Sequence, residues 1–143
     1  MAAVYTAVAT ATGDGRGGHT QSSDGVINLD LAVPKEMGGP GGESANPEML
    51  FAAGYAACFH GAARLVAGKQ KADTTGSSVT AEVGIGPNGQ GGFALEVKLN
   101  VNFPAMDQAT AESVVETAHQ VCPYSNATRG NIPVELVVTT NPA

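Results

Sequence analysis

The chain has 143 residues, 43% of them hydrophobic and 14% charged, which suits one domain with a buried core and excludes a charge-dense disordered polymer. Thirteen acidic against seven basic side chains give a formal charge of -6, and the seven cations are scattered along the chain rather than clustered. A phosphate-backbone ligand is therefore not expected, because nucleic acids are held mainly by grouped Lys and Arg.

In chain order, Met1-Ala2-Ala3-Val4-Tyr5 places no basic region ahead of an apolar run, so no secretory or transit segment is expected and a cytoplasmic setting is. Val4 to Thr12 and Val26 to Val33 read as strands, the second alternating Ile27, Leu29, Leu31 and Val33 against Asn28 and Asp30, with Arg16 in the turn between them. Pro34 to Ala45 contains Gly38-Gly39-Pro40-Gly41-Gly42, which is costly to order and reads as a loop. Asn46-Pro47-Glu48 then predicts a helix start: a side-chain cap, a proline where no N–H is needed, and an acid facing the dipole. That helix is expected to run to about Ala67, and its lack of a polar face predicts that protein wraps it on most sides. It contains the most apolar stretch, Met49 to Ala67, but His60 and Arg64 interrupt that stretch, and a bilayer span needs about 20 mostly apolar residues. A buried helix is expected and a membrane span is not.

Ser78 to Gly86 and Phe93 to Asn102 alternate cleanly, and Asn88-Gly89 between them signals a hairpin. Asp107 to Val121 predicts a second helix with Val114, Val115 and Ala118 inward, stopped by Pro123, and Val134 to Thr140 predicts a closing strand. The order ββαββαβ, with hairpins preceding helices, argues for an α+β class with largely antiparallel sheet in a single domain, residues 1-143.

Most pattern matches lack the context their chemistry needs. Gly13-Asp14-Gly15-Arg16-Gly17-Gly18 matches the glycine spacing of dinucleotide loops, yet no helix follows it. Asn126-Ala127-Thr128 is a glycosylation sequon only in pattern. No pair among the two cysteines and three histidines has the close spacing of zinc ligands, so no metal is expected. His60 is not a base for Cys58, because residues two apart on a helix point about 200° apart around its axis; packing or hydrogen bonding on the far face is the expectation for it.

Cys58 and Cys122 are 64 positions apart; in a reducing compartment both are expected to rest as thiols, with any disulfide between them transient. A buried cysteine is commonly inert, and Cys58 in an apolar helix is pushed toward its thiol form unless a cation is brought to it. Cys122 lies at a helix break, where free backbone N–H groups favour thiolate. Arg16, set among glycines, is the natural cation, and Glu48 can orient it through a two-pronged pair.

The string Asn46-Pro47-Glu48-Met49-Leu50-Phe51-Ala52-Ala53-Gly54-Tyr55-Ala56-Ala57-Cys58-Phe59 resembles the first cysteine motif of the organic hydroperoxide resistance (Ohr) proteins, a branch of the OsmC-like superfamily. Cys122-Pro123-Tyr124-Ser125-Asn126-Ala127 resembles the second motif, and Gly15-Arg16-Gly17-Gly18 with Ser23-Asp24-Gly25 resembles the arginine loop and the start of the next strand. Glu43 departs from the small residue expected in its loop. The resemblance implies an OsmC/Ohr-like fold with a buried central helix in an intertwined homodimer, and a thiol peroxidase that reduces organic hydroperoxides, lipid-derived ones included, to alcohols without a cofactor. It implies Cys58 as nucleophile, Cys122 as resolving thiol, Arg16 with Glu48 as the activating pair, and dihydrolipoyl groups, as on lipoylated proteins, as reductant. Met37, Phe51, Tyr55 and Phe59 are candidates to line an apolar approach, or equally plain core. The rival expectation is a non-enzymatic redox-sensing or ligand-binding module on the same fold. Glu48 and Cys58, ten residues apart, would lie about 15 Å apart along one straight helix, so either that helix begins later or Arg16 and Glu48 of one chain serve Cys58 of another.

Overall fold

A computed structural model of the chain describes residues 1–142 and separates it into two units, Met1–Leu50 and Phe51–Ala143. In the first unit, β1 (Ala9–Thr12), β2 (His19–Ser22) and β3 (Asn28–Asp30) form an antiparallel sheet in that order. A 3-10 turn at Gly15–Gly17 carries Arg16 between β1 and β2. A Cβ at Gly18 would run into the Thr12 carbonyl oxygen, so only glycine closes this turn. The chain then passes through a second 3-10 turn, Lys35–Met37, and Ala45 bridges back to Leu31.

The helix α1 (Pro47–Lys69) opens in the first unit and continues in the second. Its start matches the expectation, with the Met49 backbone N–H donating to Asn46 Oδ1 at 2.8 Å. The second unit adds β4 (Ser78–Pro87), β5 (Phe93–Asn102), α2 (Gln108–Val121), α3 (Pro123–Thr128) and β6 (Val134–Thr139). β4 and β5 pair antiparallel, while β6 lies parallel to β5 after the crossover through α2 and α3. Val97, Leu99 and Val101 of β5 point inward by the two-residue period of a strand and pack with Val114, Val115 and Ala118 of α2 and with Tyr55 and Phe59 of α1. The α+β class and the long hairpin are as the alternation predicts.

The element order departs from ββαββαβ. The first predicted strand begins only at Ala9, because its partner β2 ends at Ser22 where the chain turns, and Val4, Tyr5 and Val8 are exposed. β2 has no apolar alternation in His19-Thr20-Gln21-Ser22 and gave no signal. The second predicted strand contracts to β3, with Leu31 buried and Ile27 exposed. Pro123 stops α2 but also starts α3, where its fixed φ suits a first helical position. Helix α1 is not wrapped on most sides by this chain: Tyr55, Phe59, Ala63 and Val66 are buried, whereas Leu65 is 54% exposed. By length and composition α1 is long and apolar enough to cross a membrane, yet this buried face is that of a core helix. His60 finds a partner in Ser77, with Nε2 at 2.9 Å from Oγ.

Leu99 is fully buried in the core of the second unit. Leu99→Ala is expected to lower the unfolding free energy by about 2 to 5 kcal/mol, through lost transfer energy and the cavity it leaves. Urea unfolding followed by circular dichroism checks this, and a loss below about 1 kcal/mol would contradict the assigned core.

Candidate functional site

Helix α1 presents Cys58 near its middle, and Cys122 sits at the junction of α2 and α3, capping the end of one and the start of the other. Both cysteines are free, Cys58 half-buried and Cys122 fully buried, and the Cys122 thiol donates to Cys58 Sγ with the sulfurs 3.4 Å apart. The two residues that the sequence separates by most of the second unit are thus brought into direct contact. Burial pushes the Cys58 thiol above its ordinary range, the backbone N–H of Tyr124 opposes that rise, and the neighbouring Cys122 adds to it. None of these influences is a cation, so within this unit Cys58 is held in its protonated, poorly nucleophilic form.

In the first unit Arg16 and Glu48 form the two-pronged pair that their residue types predict. Arg16 Nη1 donates to Glu48 Oε2 at 2.9 Å, and Nη2 lies 2.8 Å from Oε1. This fork fixes the guanidinium plane as a lysine could not. The Glu48 side chain is 12% exposed and that of Arg16 43%, so the carboxylate is largely committed to the pair while the guanidinium keeps an open edge. Arg16 holds the Glu48 carboxyl below the usual carboxylate range, mainly through its hydrogen bond, and Glu48 in turn raises Arg16.

A cavity of about 710 Å³ opens in the second unit, with Phe51, Phe93, Leu95, Tyr124 and Ile132 among its walls and Asn131 at a polar side. Tyr124 connects it to the thiols, since its backbone N–H acts on Cys58 while its ring lines the cavity. That ring lies over α1, with centroids 6.1 Å from Phe51 and 5.7 Å from Tyr55. A Cβ at Gly54 would stand 3.2 Å from the Tyr124 hydroxyl, so the missing side chain makes room for the ring. Of the apolar candidates, Phe51 alone lines this cavity. Tyr55 and Phe59 are fully buried core residues, because their helix face turns toward the sheet and α2, and Met37 lies in the first unit's 3-10 turn. Tyr124 is the wall residue that the apolar pattern of α1 missed; its signal was its place two residues after Cys122. Among the described residues no three His, Cys, Asp or Glu side chains are grouped to hold a metal ion.

Residues 39–137 match the family model described as OsmC-like protein. An organic hydroperoxide resistance protein of Xanthomonas axonopodis pv. citri is 53% identical over 136 residues, covering 94% of this chain and 94% of that protein. Among solved structures, an organic hydroperoxide resistance protein from Elizabethkingia anophelis, with crystallant-derived thiocyanate bound, superposes with a TM-score of 0.93 at 53% identity, covering 99% of this chain and 100% of that one. The organic hydroperoxide resistance protein OhrB of Bacillus subtilis superposes with a TM-score of 0.86 at 43% identity, covering 95% of this chain and 99% of that one.

The Arg16–Glu48 pair carries a pH signature. A carboxyl depressed in the folded state contributes stability that is fully present above its unfolded value, 4.5, and is lost as pH falls through the lower folded value. Glu48→Gln is therefore expected to be less stable than wild type at neutral pH and to converge with it below the folded pKa. Urea midpoints measured from pH 7 to pH 3 test this, and a difference unchanged across that range would show that the pair does not stabilise the fold through charge.

Proposed function

We propose that this chain, which belongs to the OsmC-like protein family and within it to the organic hydroperoxide resistance proteins, is a cysteine-based thiol peroxidase acting on organic hydroperoxides. The observation that carries this reading is the pair of free sulfurs 3.4 Å apart, one half-buried and one fully buried. In the proposed reaction the Cys58 thiolate attacks the terminal peroxide oxygen and the O–O bond breaks. The organic fragment leaves as an alkoxide that takes up a proton to become the alcohol, and Cys58 becomes a sulfenic acid, oxidised by two electrons. The Cys122 thiol then displaces water from that sulfenic acid to form the Cys58–Cys122 disulfide, which forestalls overoxidation. A dihydrolipoyl dithiol, free or on a lipoylated protein, restores both thiols by exchange and leaves as its own disulfide. The cytoplasm, where the resting cysteines stay reduced, is the proposed setting.

Arg16 is the proposed activator. Burial holds Cys58 as a thiol, and a fixed guanidinium would favour the thiolate and the departing alkoxide alike. Glu48 keeps that guanidinium in one orientation. Because α1 runs unbroken from Pro47 to Lys69, a late helix start does not bring Glu48 to Cys58. This supports a homodimer in which Arg16 and Glu48 of one protomer serve Cys58 of its partner. The exposed, small-residue face of α1, with Ala53, Ala57 and Gly61, suits close approach of a second chain. The apolar cavity beside Tyr124 suits an organic tail better than a proton, so bulky hydroperoxides should react faster than hydrogen peroxide.

Peroxidase assays with an alkyl hydroperoxide and dihydrolipoamide test the reading. Cys58→Ser is expected to abolish turnover. After one equivalent of hydroperoxide, the intact mass of wild type should fall by two hydrogens, and that of Cys122→Ser should rise by oxygen on Cys58. Residual peroxidase activity in Cys58→Ser would remove Cys58 as nucleophile, and a glutathione requirement would remove the dihydrolipoyl donor. Shared sites are tested by mixing inactive Cys58→Ser with inactive Glu48→Ala and letting subunits exchange. One functional site per heterodimer should return activity, whereas verified exchange without recovery would place all three residues in one chain.

A further inference from the structure

A closed hydrogen-bond circuit sits one helical turn from the two sulfurs. Tyr55 lies three residues before Cys58 on α1, so both project from one side of the helix. Ser125 and Thr128 lie on α3, which Cys122 caps. The Tyr55 hydroxyl is 2.8 Å from Ser125 Oγ and 3.0 Å from Thr128 Oγ1, and Thr128 Oγ1 donates to the Ser125 carbonyl at 3.3 Å. One proton arrangement satisfies all three groups. Thr128 donates to the carbonyl and so accepts from Tyr55, and Tyr55, its proton spent there, accepts from Ser125. Tyr55 and Ser125 are fully buried and Thr128 is 5% exposed, so water cannot replace a lost partner.

The same two helices are thus joined by the sulfur contact, by the Tyr124 backbone N–H toward Cys58 and by the hydroxyl circuit. α3 spans six residues, too few to hold its place by helix propensity, and depends on tertiary tethers. Its other tether is Arg129, which donates to the His119 carbonyl at 2.7 Å and to Asn126 Oδ1 at 2.6 Å, and so fixes α3 to α2 rather than to α1. Beside the Tyr124 backbone N–H directed at Cys58, the circuit sets the α1–α3 spacing by directional side-chain bonds close to the cysteines. A disulfide requires the sulfurs to close from 3.4 Å to about 2.05 Å, and small misplacements of reacting groups are costly.

We infer that Tyr55 is a positioning residue that sets the effective concentration of the Cys122 thiol at Cys58. It touches neither sulfur in the reaction; its hydroxyl holds the helix that carries Cys122. The inference rests on reading the two cysteines as a dithiol–disulfide couple. Forming that couple transfers two electrons and two protons from the thiols to an external disulfide, which is reduced to a dithiol.

The test uses full-length protein equilibrated in oxidised and reduced dithiothreitol, with the Cys58–Cys122 disulfide fraction read by mass spectrometry after thiol trapping. Tyr55→Phe is expected to shift the equilibrium about tenfold toward the dithiol, a potential about 30 mV less negative. The triple variant Tyr55→Phe, Ser125→Ala, Thr128→Val removes every hydroxyl and so leaves none unpaired, which should restore melting temperature toward wild type. It should keep the tenfold shift, because the directional bonds are still absent. A wild-type equilibrium in the triple variant, or in a folded Tyr55→Phe, would overturn the inference whatever the melting temperature does. Should Tyr55→Phe fail to fold, the triple variant decides. The experiment does not involve peroxide, so wild type that forms the disulfide here but not with an alkyl hydroperoxide would count against the peroxidase reading and not against Tyr55.

Discussion

Two sulfur atoms from distant parts of the chain are held in contact at 3.4 Å, and the rest of the second unit can be understood as what keeps them there. One rides on α1, whose Tyr55, Phe59, Ala63 and Val66 are buried in the core beneath the sheet. The other stands where α2 ends and α3 begins, a junction forced by Pro123, which cannot continue one helix yet suits the start of the next. Packing anchors the first sulfur. Hydroxyl bonds from Tyr55 and the Arg129 tether anchor the second.

Proximity alone does not make a nucleophile. Burial favours Cys58 as a thiol, and among the described residues of its own unit the Tyr124 backbone N–H opposes this. A guanidinium pre-oriented by a carboxylate is the complementary part, and Arg16 with Glu48 is built to that specification in the first unit. On the proposed reading, separating the nucleophile from its activator makes reactivity depend on assembly. On that same reading, a chain by itself carries an unreactive thiol.

Much of this was legible in the residues because the signals are local. Asn46-Pro47-Glu48 announces the start of α1, period-two alternation marks β4 and β5, and Arg16 and Glu48 are chemically suited to a fork that the structure forms. What escaped depended on tertiary context. His19 to Ser22 pairs on both sides without any apolar pattern. Tyr55 and Phe59 read equally as cavity wall or core, and only the direction in which their helix face turns decides for core. The hydroxyl circuit joins residues 70 and 73 positions apart, a separation no sequence pattern reveals.

On the proposed mechanism, Cys58 and Cys122 act as one two-electron unit toward an organic hydroperoxide. An anaerobic titration of reduced protein with an alkyl hydroperoxide, counting free thiols per chain at each addition, reads this out. The first equivalent is expected to remove two thiols per chain, one equivalent of dihydrolipoamide to restore both, and the cycle to repeat without loss. Loss of a single thiol per chain, or thiols untouched while hydroperoxide persists, would refute it.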